Sequence, residues 1–201
     1  MTERVRMAVA TDIPETPRAR AKADRRRALL AAAARLFAER GFDRVSMEDL
    51  GSAAGVSGPA VYRHFPGKQS VLAALLTDVS QGLFDGGSTV IDEETDAAVS
   101  LRALVTFHVA FAMANANVIR VQDRDLESLA DPEQRQVRAL QRNYVELWVG
   151  VLARLNPETS AAALRVKAHA AFGLINSTPH SGHSAGTGQI LEAMAWAGLR
   201  A

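Results

Sequence analysis

Residues 45–68 read VSMEDLGSAAGVSGPAVYRHFPGK, a stretch that carries its own starts and stops. Ser46 offers the side-chain oxygen that caps free N–H groups at a helix start. Glu48 and Asp49 then put negative charge in the first turn, where the helix dipole favours it. Leu50 with Ala53 or Ala54 supplies an inward face, and Gly55 ends this short helix. Ser57 can cap a further helix over residues 58–65, GPAVYRHF, in which Pro59 is tolerated because first-turn N–H groups have no intrahelical acceptor. Pro66-Gly67 closes it after Phe65, which reads as a core residue. Two short helices joined by a Gly-containing turn are the helix-turn-helix signature.

Upstream, Leu29, Leu30, Ala33, Leu36 and Phe37 recur at helical spacing and stop at Gly41. Residues 1–17 lack periodicity and hold two prolines, so 1–23 reads as a flexible basic arm. Arg18, Arg20, Lys22, Arg25, Arg26 and Arg27 cluster there against Asp24 alone. They are either a solvated run or a set of cations for phosphates or a narrow minor groove.

Downstream, an amphipathic helix runs from Lys68 to about Phe84, Gly86-Gly87 breaks it, and a loop extends to about Thr95. Further helices are expected at about 97–115, 117–129, 132–155, 158–177 and 187–199, with Thr178–Thr187 as a turn-rich separator. No apolar–polar alternation suggests a strand. The expectation is an all-α chain of about nine helices: residues 24–68 as a helix-turn-helix DNA-binding domain, and 69–201 as a helical ligand-binding and dimerisation domain.

Composition restricts the function classes. Hydrophobic residues make up 48% of the chain and charged residues 22%, which is ordinary for a globular protein. The absence of cysteine excludes disulfide scaffolds, thiolate metal sites and cysteine nucleophiles. With no signal-peptide pattern and no run of ~18 uninterrupted apolar residues, a cytoplasmic protein without a membrane partner is expected. Residues 1–68 hold 13 Lys/Arg against 8 Asp/Glu, whereas the remainder holds 10 against 14. A basic head on an acidic body concentrates phosphate attraction at one end.

The run LLAAAARLFAERGFDRVSMEDLGSAAGVSGPAVYRHFPGKQSVLAALL, residues 29–76, closely resembles the DNA-binding domain of the TetR family of bacterial regulators. The matched features are LFAERGF, the Val-Ser before the second helix, LGSAAGVS and YRHFPGK, and the likeness covers roughly residues 25–77. Gly51 stands where the family commonly has alanine, a change worth ~1 kcal/mol of helix stability. The resemblance implies a non-enzymatic transcriptional regulator, most simply a repressor. It would bind a double-stranded, pseudo-palindromic operator as a homodimer and be released by a small-molecule effector. No cofactor is expected.

A recognition helix enters the major groove by its N-terminal end, so small or polar residues belong there. Ser57, Gly58, Pro59 and Ala60 fit, and Ala60 or Val61 can meet a thymine methyl. Tyr62, Arg63 and His64 extend that surface. The resemblance assigns Tyr62, His64 and Lys68 mainly to phosphates, and Arg44 and Ser46 lie near the positive end of the second helix.

In the body, the family places a ligand pocket between helices five to eight and the dimer interface on the last two. Polar residues on apolar stripes are the candidates for the pocket: His108 and Asn115 with Phe111, Gln122, Tyr144 with Trp148, and His169 with Phe172 and Asn176. Buried polar groups need partners, which a ligand, a water or another protein group can supply. The aromatic and aliphatic surroundings suggest an apolar or acyl-type effector. The last two helices, rich in alanine and glycine, suit close packing across a two-fold axis. Two other readings stand beside this one. One is a metal sensor using His180, His183 and His169; the other is a helical-bundle enzyme pairing His108 or His169 with Asp123 or Glu146.

Overall fold

The computed structural model describes residues 16–181 and 185–201, and every described element is helical. The helices are α1 (Pro17–Arg40), α2 (Met47–Ala53), α3 (Gly58–Tyr62), α4 (Lys68–Asp92), α5 (Ala97–Ala114) and α6 (Ala116–Asp125). They continue with α7 (Asp131–Leu155), α8 (Ala161–Ile175), α9 (Thr178–Ser181) and α10 (Thr187–Arg200). A single 3-10 turn, Leu126–Ser128, follows α6. The all-α expectation holds. The one addition is α9, a single helical turn inside the segment expected to be only turns.

Three boundaries differ from the expectation, each for a physical reason. Helix α1 begins at Pro17, capped by Thr16, whose hydroxyl accepts from Ala19 N at 3.2 Å. Arg18, Arg20 and Lys22 are therefore helical rather than part of an irregular arm, while residues 1–15 of that arm lie outside the described residues. Helix α3 is shorter than expected, with Arg63 and His64 in the turn that follows it. Helix α4 runs straight through Gly86-Gly87 to Asp92. Both glycines serve a close approach instead of a break: a Cβ on Gly86 would lie 2.4 Å from Phe107 Cζ, and one on Gly87 2.6 Å from Tyr144 Cε2. Rings from α5 and α7 press directly on the α4 backbone there.

The apolar side chains form two cores. The head core joins Leu29, Phe37, Leu50, Val61 and Phe65 to the first half of α4 through Val71, Leu72, Leu75 and Leu76. It also takes in Val118, Val121, Leu129 and Val137 from the body. The body core gathers α5, α7, α8 and α10 around the fully buried Trp148, Leu152, Leu164 and Ile175. The second half of α4 packs against it through Leu83, Val90 and Ile91. Each such side chain stabilises the fold by ~1.5–3 kcal/mol. Helix α4 belongs to both cores, which makes it the mechanical link.

By length and composition alone one helix, α5, is apolar enough to cross a membrane, at 18 residues with mean hydropathy 1.6, although its apolar run is interrupted. Ser100, Arg102, Thr106 and His108 break that run. Its buried face, including Ser100, Leu101, Leu104, Val105, His108 and Ala112, lies in the body of this fold.

Candidate nucleic-acid interface and ligand cage

The head is built from local caps. Ser46 Oγ accepts from Asp49 N at 3.0 Å, and Ser46 N donates to Asp49 Oδ2 at 2.8 Å, a reciprocal capping box. The backbone N–H and hydroxyl of Ser46 together hold the Asp49 carboxyl below its ordinary pKa. The Ser46 hydroxyl, expected near phosphate, is thus engaged in holding α2. Arg44 is exposed beside it.

At the start of α3 the Ser57 hydroxyl makes no capping bond; the Ser57 carbonyl accepts from Ala60 N at 2.8 Å instead. Ser57, Pro59, Tyr62 and Arg63 are exposed, and Gly58, Ala60 and His64 are half-buried. Val61, expected beside Ala60 on the DNA face, is fully buried. It turns toward α2, where its Cγ2 would sit only 3.0 Å from a Cβ on Gly51. Gly51 therefore does more than weaken α2: an alanine there would also come within 2.9 Å of the Val56 carbonyl oxygen. The accessible face that remains comprises Ser57, Gly58, Pro59, Ala60, Tyr62, Arg63 and His64. Phe65 is core, as expected. Lys68 Nζ donates to the Asp43 carbonyl at 3.1 Å and sits 4.5 Å from the Phe42 ring centroid. This pins the start of α4 to the α1–α2 loop while leaving ammonium donors for an anion.

In the body, five of the nine pocket candidates assemble into a cage of rings and hydrogen bonds, with Phe111 at its edge. His108, 3% exposed, is within 3.2 Å of the Tyr144 hydroxyl through Nδ1 and within 3.2 Å of Asn176 Oδ1 through Nε2. Phe172 lies 4.9 Å from both the His108 and Trp148 ring centroids and stacks on Tyr144 at 5.6 Å. Phe111 stands 6.0 Å from His108. Burial pushes the His108 pKa down to about 4, partly opposed by the Asn176 bond, so the imidazole is neutral at pH 7. Burial likewise raises the Tyr144 phenol above its ordinary value. The indole Nε1 of Trp148 is close enough to influence that phenol but lies outside hydrogen-bond geometry, and it is a buried donor without an acceptor.

Three candidates fall elsewhere. Asn115 ends α5, its amide donating to the Phe111 carbonyl at 2.9 Å, and it lines a groove with Leu30, Leu75 and Asp78 at the head–body joint. Gln122 is half-buried on α6, and among the described residues no hydrogen bond links it to the cage. His169 is exposed in a groove with Arg142, Glu146 and Arg165, touching the cage only through an edge contact 6.4 Å from Phe172.

The alternatives find little support in this geometry. Among the described residues no three His, Cys, Asp or Glu side chains converge as metal ligands; His169 and His180 are exposed, and His183 lies outside the described residues. His108 bonds to neutral partners, and Glu146 is held by Arg165 at 2.7 and 3.0 Å.

Sequence reasoning missed one joint. The Arg124 guanidinium on α6 donates to the carbonyls of Phe37 and, at 3.5 Å, Ala38, at the C-terminal end of α1. The nearly buried Asp125 braces it at 2.8 Å. No local signal marks such a residue, since its acceptors lie more than eighty positions away.

Known proteins resemble this arrangement throughout. Residues 29–75 match the family described as bacterial regulatory proteins, tetR family, and residues 94–180 match the tetracyclin repressor-like C-terminal domain. The HTH-type transcriptional repressor KstR2 of Rhodococcus jostii is 33% identical over 132 residues, spanning 65% of this chain and 65% of that relative's length. A TetR-family regulator from Bordetella parapertussis superposes with a TM-score of 0.77 over 87% of this chain and 92% of that one, at 21% identity. The Bacillus subtilis regulator FadR, solved with stearoyl-CoA, superposes with a TM-score of 0.64 over 86% and 95%, at 18% identity. At such identities the structural likenesses establish the fold.

Proposed function

We propose that this chain, a member of the TetR family of bacterial transcriptional regulators, is a ligand-responsive repressor released from DNA by an apolar or acyl-type effector. Its head, residues 24–68, reads a half-site through Ser57, Gly58, Pro59 and Ala60. Arg44, Tyr62, Arg63, His64 and Lys68 hold the flanking phosphates. Two copies pair through α8 and α10 to present two heads to a pseudo-palindrome. Supporting that pairing, Val166, Ile190 and Met194 are exposed by 68%, 60% and 52% among small residues such as Ala170, Gly173, Ala193 and Ala197. Large apolar side chains left in water on adjacent helices favour burial against a second copy.

The observation that carries the proposal is the contact of Tyr144 with the backbone of α4 at Gly87. The cage that offers an unsatisfied Trp148 donor and stacked rings to a ligand also touches the helix that carries the head. A ligand wedging between Phe172 and Tyr144 must move the Tyr144 ring, and with it α4. The effector shifts the dimer only by as much as it prefers the moved state. The acyl class is supported by the aromatic lining and by the stearoyl-CoA held by the FadR neighbour.

The test is a gel shift on DNA flanking the protein's own gene, with and without acyl-CoA thioesters of increasing chain length. A specific complex that an acyl-CoA dissolves is expected, with the release abolished by Trp148→Phe. A specific complex that no acyl-CoA weakens would remove the effector class and leave DNA binding standing.

A further inference from the structure

The cations on the first turns of α1 play no part in the head surface described so far. Arg18, Lys22 and Arg25 are spaced i, i+4 and i+7, so they share one face of α1 and span about 10 Å of its axis at ~1.5 Å per residue. That face looks onto the recognition helix. With Val56, Ala60, Arg63 and His64 it lines an open groove of about 600 Å3.

Two neighbouring cations are committed elsewhere. Arg26 pairs with Asp78 at 2.5 Å and covers the Phe65 ring, and Arg27 pairs with Asp24. Arg18, Lys22, Arg25 and Arg63 bond to no carboxylate among the described residues, so their charge is directed into the groove. The field is felt by His64, which is held below its ordinary pKa first by burial and then by Arg25, Lys22 and Arg26.

We propose that this groove is a second DNA-contact surface, in which Arg18, Lys22 and Arg25 of α1 and Arg63 beyond α3 grip phosphates of the strand beside the recognition helix. The inference rests on the DNA-binding reading above. DNA is the occupant because Ala60, Arg63 and His64 belong both to the groove and to the exposed recognition surface, so a duplex seated on one brings its backbone to the other. Phosphates rather than base edges are the target. A helix ~10 Å across cannot enter a minor groove ~6 Å wide, and cations fixed on its surface reach only the strand backbone.

The experiment measures Kd against salt concentration for the full chain on the DNA flanking its gene and on a random duplex of equal length. Three proteins are compared: the unaltered chain, the triple variant Arg18→Ala/Lys22→Ala/Arg25→Ala, and the control Arg20→Ala/Arg27→Ala, whose cations lie on the opposite face of α1. Alanine at exposed helix positions preserves helicity, which circular dichroism verifies. Each phosphate contact contributes about 0.9 to the slope of log K on log salt, so the triple variant should lose about 2.7 per bound protomer. Its preference for the flanking DNA over the random duplex should be unchanged, and the control should match the unaltered slope. Equal slopes for the triple variant and the unaltered chain overturn the proposal, as does an equal loss in the control, which would mark a net-charge effect. If the unaltered chain binds neither duplex, the DNA-binding reading itself fails.

Discussion

Helix α4 contains three glycines in six positions, and alanine at each should give a different result for a reason visible in the structure. At Gly82 nothing lies within 4 Å of a new Cβ, so Gly82→Ala gains only helix propensity, ~1 kcal/mol. For a chain of this size that raises Tm by ~2–4 °C. At Gly87 the new Cβ meets Tyr144 Cε2 at 2.6 Å and Cδ2 at 3.3 Å. Tyr144 cannot retreat: it is 4% exposed, stacked on Phe172 and His108, with Trp148 against its edge. Overpacking of that kind costs ~1–3 kcal/mol, and the confinement puts it near the top of the range. Allowing for the propensity gain, Gly87→Ala should destabilise by ~2 kcal/mol and lower Tm by ~4–8 °C. Gly86→Ala should be nearly neutral, because the far end of the half-buried Phe107 ring can swing outward. Urea unfolding followed by circular dichroism at one protein concentration compares all three, the fixed concentration removing any effect of self-association. If Gly87→Ala stabilises as much as Gly82→Ala, Tyr144 does not press on α4 and the proposed route from cage to head is lost.

Two further outcomes follow from buried charge. His108, with its pKa lowered from 6.5 to about 4 in the fold, binds a proton more readily when unfolded. Its stabilisation is complete above pH 6.5 and drains away as pH falls toward 4, by up to ~3 kcal/mol. Urea midpoints between pH 7 and 4.5 should therefore fall more steeply for the unaltered chain than for His108→Gln; parallel curves would contradict a buried neutral imidazole. Arg124→Ala removes the clamp on the α1 carbonyls and leaves Asp125 nearly buried without its cation, at a cost of ~2 kcal/mol after allowing for Arg124's partial exposure. Asp125→Asn in the same chain should recover part of that loss in the urea midpoint, and no recovery would mean the pair is not the source.

The head was legible because its determinants are local. Ser46 with Asp49, Gly41 and Gly55 at positive φ, and Pro66 after Phe65 are each read within a few residues of the structure they specify. Charge masked one equally local signal, since Thr16-Pro17 is a cap and first-turn proline, yet the arginines after it read as a loose arm. In the body, helical spacing identified which residues turn inward but not which neighbour they meet. His108, Tyr144, Trp148, Phe172 and Asn176 converge because α5, α7 and α8 pack together. Asn115, on a stripe of the same kind, lines the groove at the head–body joint instead. Gly86-Gly87 reads as a break because glycine is costly in a helix, and only rings 21 and 57 positions away account for the pair.

These contacts constrain how the head can move. The head is attached to the body at two places, α4 and the α1–α6 joint, so it cannot swing freely about either. Arg124 fixes the end of α1 to α6, while Val118 and Val121 of α6 lie inside the head core. Helix α6 in turn follows α5 with only Asn115 between them. Helix α5 carries His108 and Phe111 of the cage and Phe107 against Gly86. In the proposed switch, a ligand entering the cage would therefore act on both attachments: on α4 at the glycine pair, through Tyr144 of α7 and Phe107 of α5, and on α1 through α5 and α6. In that switch the head would move as a rigid body with the first half of α4, and the distance between the two heads of a dimer would change without rearrangement inside the proposed DNA-reading surface. Loosening either attachment alone should then weaken the coupling between effector and DNA while leaving the unliganded affinity intact. On this account Arg124→Ala separates the two, because it cuts the α6 route and leaves Ser57, Ala60 and Arg63 where they were.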